Sequence, residues 1–219
     1  MINKEAKFMN FDVLSMKQRA KGLMTTVKPN PLLGGLVVVI YGIIMLILMI
    51  IVGNTNNTGA ILTYLLVYMV LFTLFMTSLK WFSLKSTREE VTVTSDIFIC
   101  FKEKQGKVLV VATVKALCIY FGMIFCLVGA LLPFYWFRFA ENIVKDDDTM
   151  KPLKAMGKSM KLMKGHYMEL IKIDLSLLGW WALYIVTLGI AGIYILPYTS
   201  MLYAEFYDYI KGQYEAFNS

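Results

Sequence analysis

Between Pro31 and Gly53 the chain runs for 23 residues without a charged side chain, and that segment limits the folds open to everything around it. An α-helix rises about 1.5 Å per residue, so about 20 apolar residues cross the roughly 30 Å of hydrocarbon in a bilayer. The composition matches: of 219 residues, 58% are hydrophobic and 17% charged, with a mean hydropathy of +0.62. A water-soluble domain of this length exposes more surface than so few charges can cover, whereas a chain solvated by lipid needs apolar residues both inside and outside. The first 30 residues, which include Lys4, Glu5, Asp12, Lys17 and Arg19, are too polar for a signal-peptide core. The first span is therefore expected to remain as a signal anchor.

The 22 Lys and Arg against 15 Asp and Glu leave a net charge of +7, which in a soluble protein would raise the question of nucleic acid. Here the basic residues flank apolar spans, with no arginine stripe or aromatic platform, so they set orientation in the membrane instead. Cys100, Cys118 and Cys126 form no C-x-x-C pair, and neither a disulfide framework nor a zinc site is indicated. No cofactor, metal site, catalytic motif or nucleic-acid partner is expected.

Along the chain, Ser15 can cap a short basic helix through Leu23, and Lys28-Pro29-Asn30-Pro31 breaks it before the first span. The spacing predicts spans over about 31–53, 59–82, 108–132, 133–145, 167–188 and 189–210, about six crossings in all. The first two form a hairpin around Asn54-Thr55-Asn56-Asn57-Thr58, and the last two form another around Thr187-Leu188-Gly189. Val91–Phe98 lies in a polar loop as an amphipathic interfacial stretch.

The middle pair is set by charge. A single crossing after Val108 would place the eight Lys and Arg between Arg138 and Lys172 outside the cell, against the positive-inside bias. The middle pair is therefore expected to be short or re-entrant, broken near Pro133 and returning to the cytoplasmic side. After Asp146-Asp147-Asp148, whose charges suit a helix N-terminus, residues 149–165 read as an amphipathic helix. Leu153, Met156, Met160 and Met163 share one face and the lysines another, so it should lie flat on the inner membrane surface. The resulting class is an all-α, polytopic transmembrane helical bundle with a cytoplasmic interfacial helix. Its parts are a cytoplasmic basic segment (1–30), a single transmembrane domain (31–212) and a cytoplasmic tail (213–219).

Four motifs follow in order: Ser159-Met160-Lys161-Leu162-Met163-Lys164-Gly165, Leu175-Ser176-Leu177-Leu178-Gly179-Trp180, Leu196-Pro197-Tyr198 and Ala204-Glu205-Phe206-Tyr207. In these the chain resembles domain-of-unknown-function family 975, a group of bacterial integral membrane proteins. Its pattern is an S-x-x-M-M-x-G helix, an L-S-F-x-G-W helix and a final P-Y…F-Y helix. Weaker echoes lie at Arg19–Leu23 and Asp96–Phe101. The family usually carries I-P-G-I at the end of its middle span, where this chain has Leu132-Pro133-Phe134-Tyr135, keeping the proline and losing the glycine. The resemblance implies membrane location and fold and brings no activity. It marks Ser159, Gly165, Ser176, Gly179, Trp180, Pro197, Tyr198 and Tyr207 as structural motif residues.

Two groups of residues carry functional expectations. Lys151, Lys154, Lys158, Lys161 and Lys164 form a basic face that can meet anionic lipid head groups, each lysine contributing about 1 kcal/mol of attraction; the plainer reading is a topological anchor. Lys115, Asp174 and Glu205 are ionisable residues at or within spans, where such residues point to function when buried in lipid; the plainer reading is an ion pair between Lys115 and one of the carboxylates, or snorkelling. His166, the only histidine, sits at a helix entrance. Trp180-Trp181 should face Pro197-Tyr198, with Ser176, Gly179 and Ala182 allowing close approach and Gly122, Cys126 and Ala130 forming a similar stripe. The chain is thus expected to be a non-enzymatic protein of the bacterial plasma membrane, with both termini cytoplasmic. It would act as an accessory or interaction partner at the envelope in contact with anionic lipid. The alternatives are a small transporter or channel using the broken helix near Pro133, and immunity to a membrane-active peptide.

Overall fold

The computed structural model describes residues 11–55, 57–125 and 127–217, with side chains except those of residues 123–131. Residues 1–10, Asn56 of the first turn, Cys126 and the side chain of Ala130 thus lie outside the description. The described residues are helical, with no strand among them.

α1 (Val13–Thr26) begins at Asp12, whose carboxylate accepts from the backbone N–H of Leu14 and Ser15 at 3.1 and 3.0 Å. Asp12 rather than Ser15 is the cap, because an ionised carboxylate serves two orphan N–H groups at once. α2 (Leu32–Gly53) and α3 (Thr58–Thr87) form the expected hairpin. Asn57 caps α3 through Gly59 and Ala60. Two tyrosine hydroxyls close the hairpin, Tyr41 donating to the Tyr68 carbonyl at 2.9 Å and Tyr64 to the Met45 carbonyl at 2.7 Å.

α2, α3 and the Gln105–Gly122 part of α5 (Gln105–Phe125) are long and apolar enough to cross a membrane. α2 exposes Ile40, Ile44, Ile47 and Ile51, and α3 exposes Leu62, Leu66 and Met69. A contiguous apolar belt of this kind is a lipid-facing surface rather than a water-facing one. α3 outlasts the expected span, and its second half, from Leu74 to Ser86, is largely buried in protein. Asp96 and Ile97 are buried in the 3₁₀ turn Thr94–Phe98 that leads into α4 (Ile99–Lys102), while Val91 stays exposed.

α6 (Leu127–Trp136) and α7 (Ala140–Asp146) return alongside α5. The Lys115 ammonium lies 3.7 Å from Glu141 Oε1 and 5.9 Å from the centre of the Phe134 ring. Lys104, just before α5, donates to the carbonyls of Val144 and Lys145 at the end of α7. The two ends of this excursion therefore meet at one end of the bundle. Pro133, however, is inside α6. The helix continues past it, with the Phe137 N–H donating to the Pro133 carbonyl at 3.1 Å. The helical break falls instead at residues 137–139.

α8 (Pro152–Met163) starts with proline in the first turn, where its missing N–H costs nothing. Asp146 ends α7 and Asp147 is its C-cap, so the acidic run does not begin α8. The face of α8 that is covered consists of Ala155, Met156, Ser159, Leu162 and Met163, and it packs into the protein core. Leu153 and Met160, expected on the apolar face, are 64% and 36% exposed. The covered face is rotated because Ser159, polar by composition, is buried on backbone hydrogen bonds. Gly165, at φ +95°, turns the chain into α9 (Tyr167–Ser176), a left-handed conformation that favours glycine.

α9 and α10 (Leu178–Val186) are one rod interrupted at Leu177. After a turn through Leu188 and Gly189, α11 (Gly192–Phe217) runs back beside them. This last helix is the axis of the bundle, buried along most of Gly192–Ile210, and it stays helical through Pro197 and into the expected tail. The tightest backbone approach is between α2 and α11: a Cβ at Gly35 would lie 2.1 Å from the Ile193 carbonyl oxygen. At Gly179 a Cβ would meet nothing within 4 Å, and Ala182 is exposed. The close approach in the last hairpin is at Gly192 instead, against Tyr184.

Gly35→Ala is expected to destabilise the protein by about 1–3 kcal/mol through overpacking. Thermal unfolding in detergent checks this against Gly42→Ala, where the added methyl meets open space and the melting temperature should hold.

Candidate functional site

The helices turn their polar side chains toward one another in three layers along α11. At the first, Asp174 on α9 accepts from the hydroxyls of Tyr203 at 2.6 Å and Tyr135 at 2.9 Å. Arg138 approaches the same carboxylate at 4.0 Å, its guanidinium 4.8 Å from the Phe134 ring centre and 4.2 Å from that of Tyr203.

In the second layer Glu141, 4% exposed, receives Lys80 at 3.0 Å on one oxygen and Lys115 at 3.7 Å on the other. The Trp81 indole donates to the Glu141 backbone carbonyl at 3.0 Å, which holds α3 against α7.

The third layer centres on Arg88, just past α3. Its NH1 and NH2 reach the two oxygens of Asp146 at 2.6 and 3.0 Å, while Nε and NH2 hold Asp208 at 3.1 and 2.7 Å. Such forked geometry is available to arginine and not to lysine. Asp146 also receives Tyr207 at 2.9 Å and Lys211 at 2.5 Å. Burial alone would raise the Asp146 pKa, but Arg88 and Lys211 prevail and bring it from 3.8 down to about 2. An open cleft of about 490 Å³ lies beside this layer, bordered by Lys145, Asp147, Lys158, Tyr207, Lys211 and Glu215 among others.

Of the sequence candidates, Lys115 pairs with Glu141 and with neither Asp174 nor Glu205. Glu205 instead meets Arg19 at 3.6 Å. The three intramembrane candidates thus belong to three separate partnerships. Lys151, Lys154, Lys161 and Lys164 are exposed on α8, and Lys158 is half-buried at the cleft. His166 bonds Glu169 at 2.6 Å. Among the described residues no group of three or more His, Cys, Asp or Glu is placed to hold a metal.

The motif residues serve mostly the backbone and the aromatic packing. The Ser159 hydroxyl donates to the Trp136 carbonyl at 2.7 Å and accepts from the Phe139 N–H at 3.4 Å, satisfying both sides of the break at 137–139. The Ser176 carbonyl, freed at the Leu177 interruption, accepts from Lys17 of α1 at 3.0 Å. Trp180 stands 5.6 Å from Tyr194 and 5.8 Å from Tyr198, ring centre to ring centre. Tyr207 belongs to the Arg88 layer.

Sequence reasoning missed Arg88, Glu141, Asp146 and Asp208. Arg88 and Asp146 follow spans in polar stretches, where composition cannot separate a solvated charge from a buried one, while Glu141 and Asp208 fall inside the expected spans 133–145 and 189–210, which was the available signal.

Residues 135–214 match the model of a family described as a protein of unknown function (DUF975). The match covers all four motifs, while the upstream echoes at Arg19–Leu23 and Asp96–Phe101 lie outside it. No curated protein and no solved structure matches the chain.

Because the folded Asp146 pKa lies below its unfolded value, its contribution is fully present above pH 3.8 and is lost as pH falls through about 2. Acid titration of stability, followed by near-ultraviolet circular dichroism, should show this loss. In Arg88→Gln the loss should begin at higher pH, because a paired positive charge and two of the carboxylate's four side-chain hydrogen bonds are gone.

Proposed function

We propose that this chain is a multi-pass integral protein of a bacterial plasma membrane, non-enzymatic, acting as an accessory or interaction partner at the envelope. The observation that carries this reading is the outward lysine face of α8 on a bundle whose other face of that helix is sealed into protein. Lys151, Lys154, Lys161 and Lys164 are exposed and available to anionic head groups, each adding about 1 kcal/mol near a charged leaflet. The charged end of the bundle, with both described chain ends beside it, is placed in the cytoplasm by the positive-inside bias. In this reading α2, α3, α9 with α10, and α11 cross the bilayer, and α5 and α6 form the short or re-entrant middle pair, about six crossings in all.

A small transporter or channel is the second reading, supported by the interruptions at 137–139 and Leu177, since discontinuous helices build many transport sites. It would use Lys115, Asp174 or Glu205 along the path. Their commitment to Glu141, to Tyr135 and Tyr203, and to Arg19 favours a structural role for all three.

A single cysteine at Gly157, in a background without Cys100, Cys118 and Cys126, should resist a membrane-impermeant maleimide in intact cells and react once they are opened. Labelling from outside would overturn the topology. Exchanging Lys154, Lys161 and Lys164 for glutamine should reduce the enrichment of anionic phospholipid around the protein in mixed-lipid nanodiscs; unchanged enrichment removes the lipid role. Purification from native membranes in mild detergent should recover a stoichiometric protein partner, and recovery of the chain with bulk lipid alone counts against the accessory role.

A further inference from the structure

In the second polar layer the partly buried charges do not cancel. Two ammonium groups, Lys80 and Lys115, face the single carboxylate of Glu141 at 3.0 and 3.7 Å. The neighbouring ions are committed elsewhere. Arg138 stands between two rings and beside Asp174, and Lys145 pairs with Glu103 at 2.8 Å. The Trp81 indole is spent on a backbone carbonyl. Withdrawing an uncompensated charge from water is costly unless an opposite charge accompanies it.

The exposures point outward in the same sense. The Glu141 side chain is 6% exposed, against 30% for Lys80 and 15% for Lys115. Lys80 is the most exposed of the three and Lys115 lies deeper, and at 3.7 Å Lys115 is beyond hydrogen-bond length from its partner, with N–H groups left to donate. The site also lies at a boundary. Beyond it on the apolar side, Leu117, Tyr120, Phe121 and Leu132 are exposed on α5 and α6; toward the other end lie the Lys85–Asp96 pair and the Arg88 layer. A boundary between an apolar belt and a charged end is the level at which phospholipid phosphates sit.

We propose that Lys80 and Lys115 form a binding site for one phosphate anion, which supplies the charge that Glu141 alone does not. The phosphate can be the diester of an anionic phospholipid or free inorganic phosphate, since both offer oxygens to the two ammonium groups. This site is separate from the lysine face of α8.

Native mass spectrometry of the full chain, extracted in mild detergent with added anionic phospholipid, tests the first source. Calorimetric titration with inorganic phosphate tests the second. Lys80→Met and Lys115→Met should each weaken binding by about tenfold. Glu141→Gln should strengthen it, because the competing negative charge is removed; a purely structural role for Glu141 predicts no such gain. Lys161→Gln on α8 should leave binding at this site unchanged, which separates this proposal from the lipid role of α8. Lysine-dependent binding of inorganic phosphate with no retained lipid identifies free phosphate as the ligand. The proposal is overturned if the wild type binds neither, if binding survives in both lysine variants, or if Glu141→Gln, folded by its melting curve, binds no more tightly than wild type.

Discussion

Charge pairing between helices is the interaction on which this bundle depends. Glu141 and Asp146 on α7, Asp174 on α9, and Glu205 and Asp208 on α11 each receive a base or a tyrosine hydroxyl from another helix or its flank. Charges withdrawn from water are tolerated when paired, and each pair fixes a lateral distance and a vertical register together. Apolar packing alone could not set that register, because lipid tails are as apolar as leucine. Arg88 is the most constrained of these links, since one planar guanidinium joins α3 to α7 and α11 at once.

The family match divides this network in an informative way. The five carboxylates lie within residues 135–214, as do Arg138 and Lys211. Lys80, Arg88 and Lys115 come from α3 and α5, and Arg19 from α1, all outside the matched segment. The segment that resembles the family therefore supplies the acids, and much of their neutralisation comes from the remainder of the chain. Lys17 extends this pattern to the backbone, since it reaches from α1 to the carbonyl freed at Ser176. The four-helix C-terminal part is not electrostatically complete without its N-terminal neighbours.

Long apolar runs made the α2–α3 hairpin legible, and the short uncharged turn at 187–189 did the same for the last hairpin, although only α2, α3 and part of α5 are long and apolar enough to cross a membrane. The return of the chain after α5 was legible from the lysines beyond it, which oppose an outside placement. Its exact site was not: proline suggested a break at Pro133, but a helix can carry one missing hydrogen bond if the next turn resumes, as Phe137 shows. On α8 the expected apolar face holds at Met156 and Met163 but not at Leu153 and Met160, and the burial of Ser159 depends on two backbone partners 23 and 20 residues upstream that periodicity does not show. Arg88 was unreadable for a related reason. Its value depends on Asp146 and Asp208, 58 and 120 residues away, and a single sequence carries no distance information.

The Ser159 hydroxyl has a consequence for how the protein is made. The link between α6 and α7 cannot satisfy its own backbone, and the group that completes it is translated only after both helices. Until α8 emerges, the returning limb carries an open carbonyl at Trp136 and an open N–H at Phe139 in a setting that penalises both. The return limb and α8 should therefore settle as one unit as the chain folds.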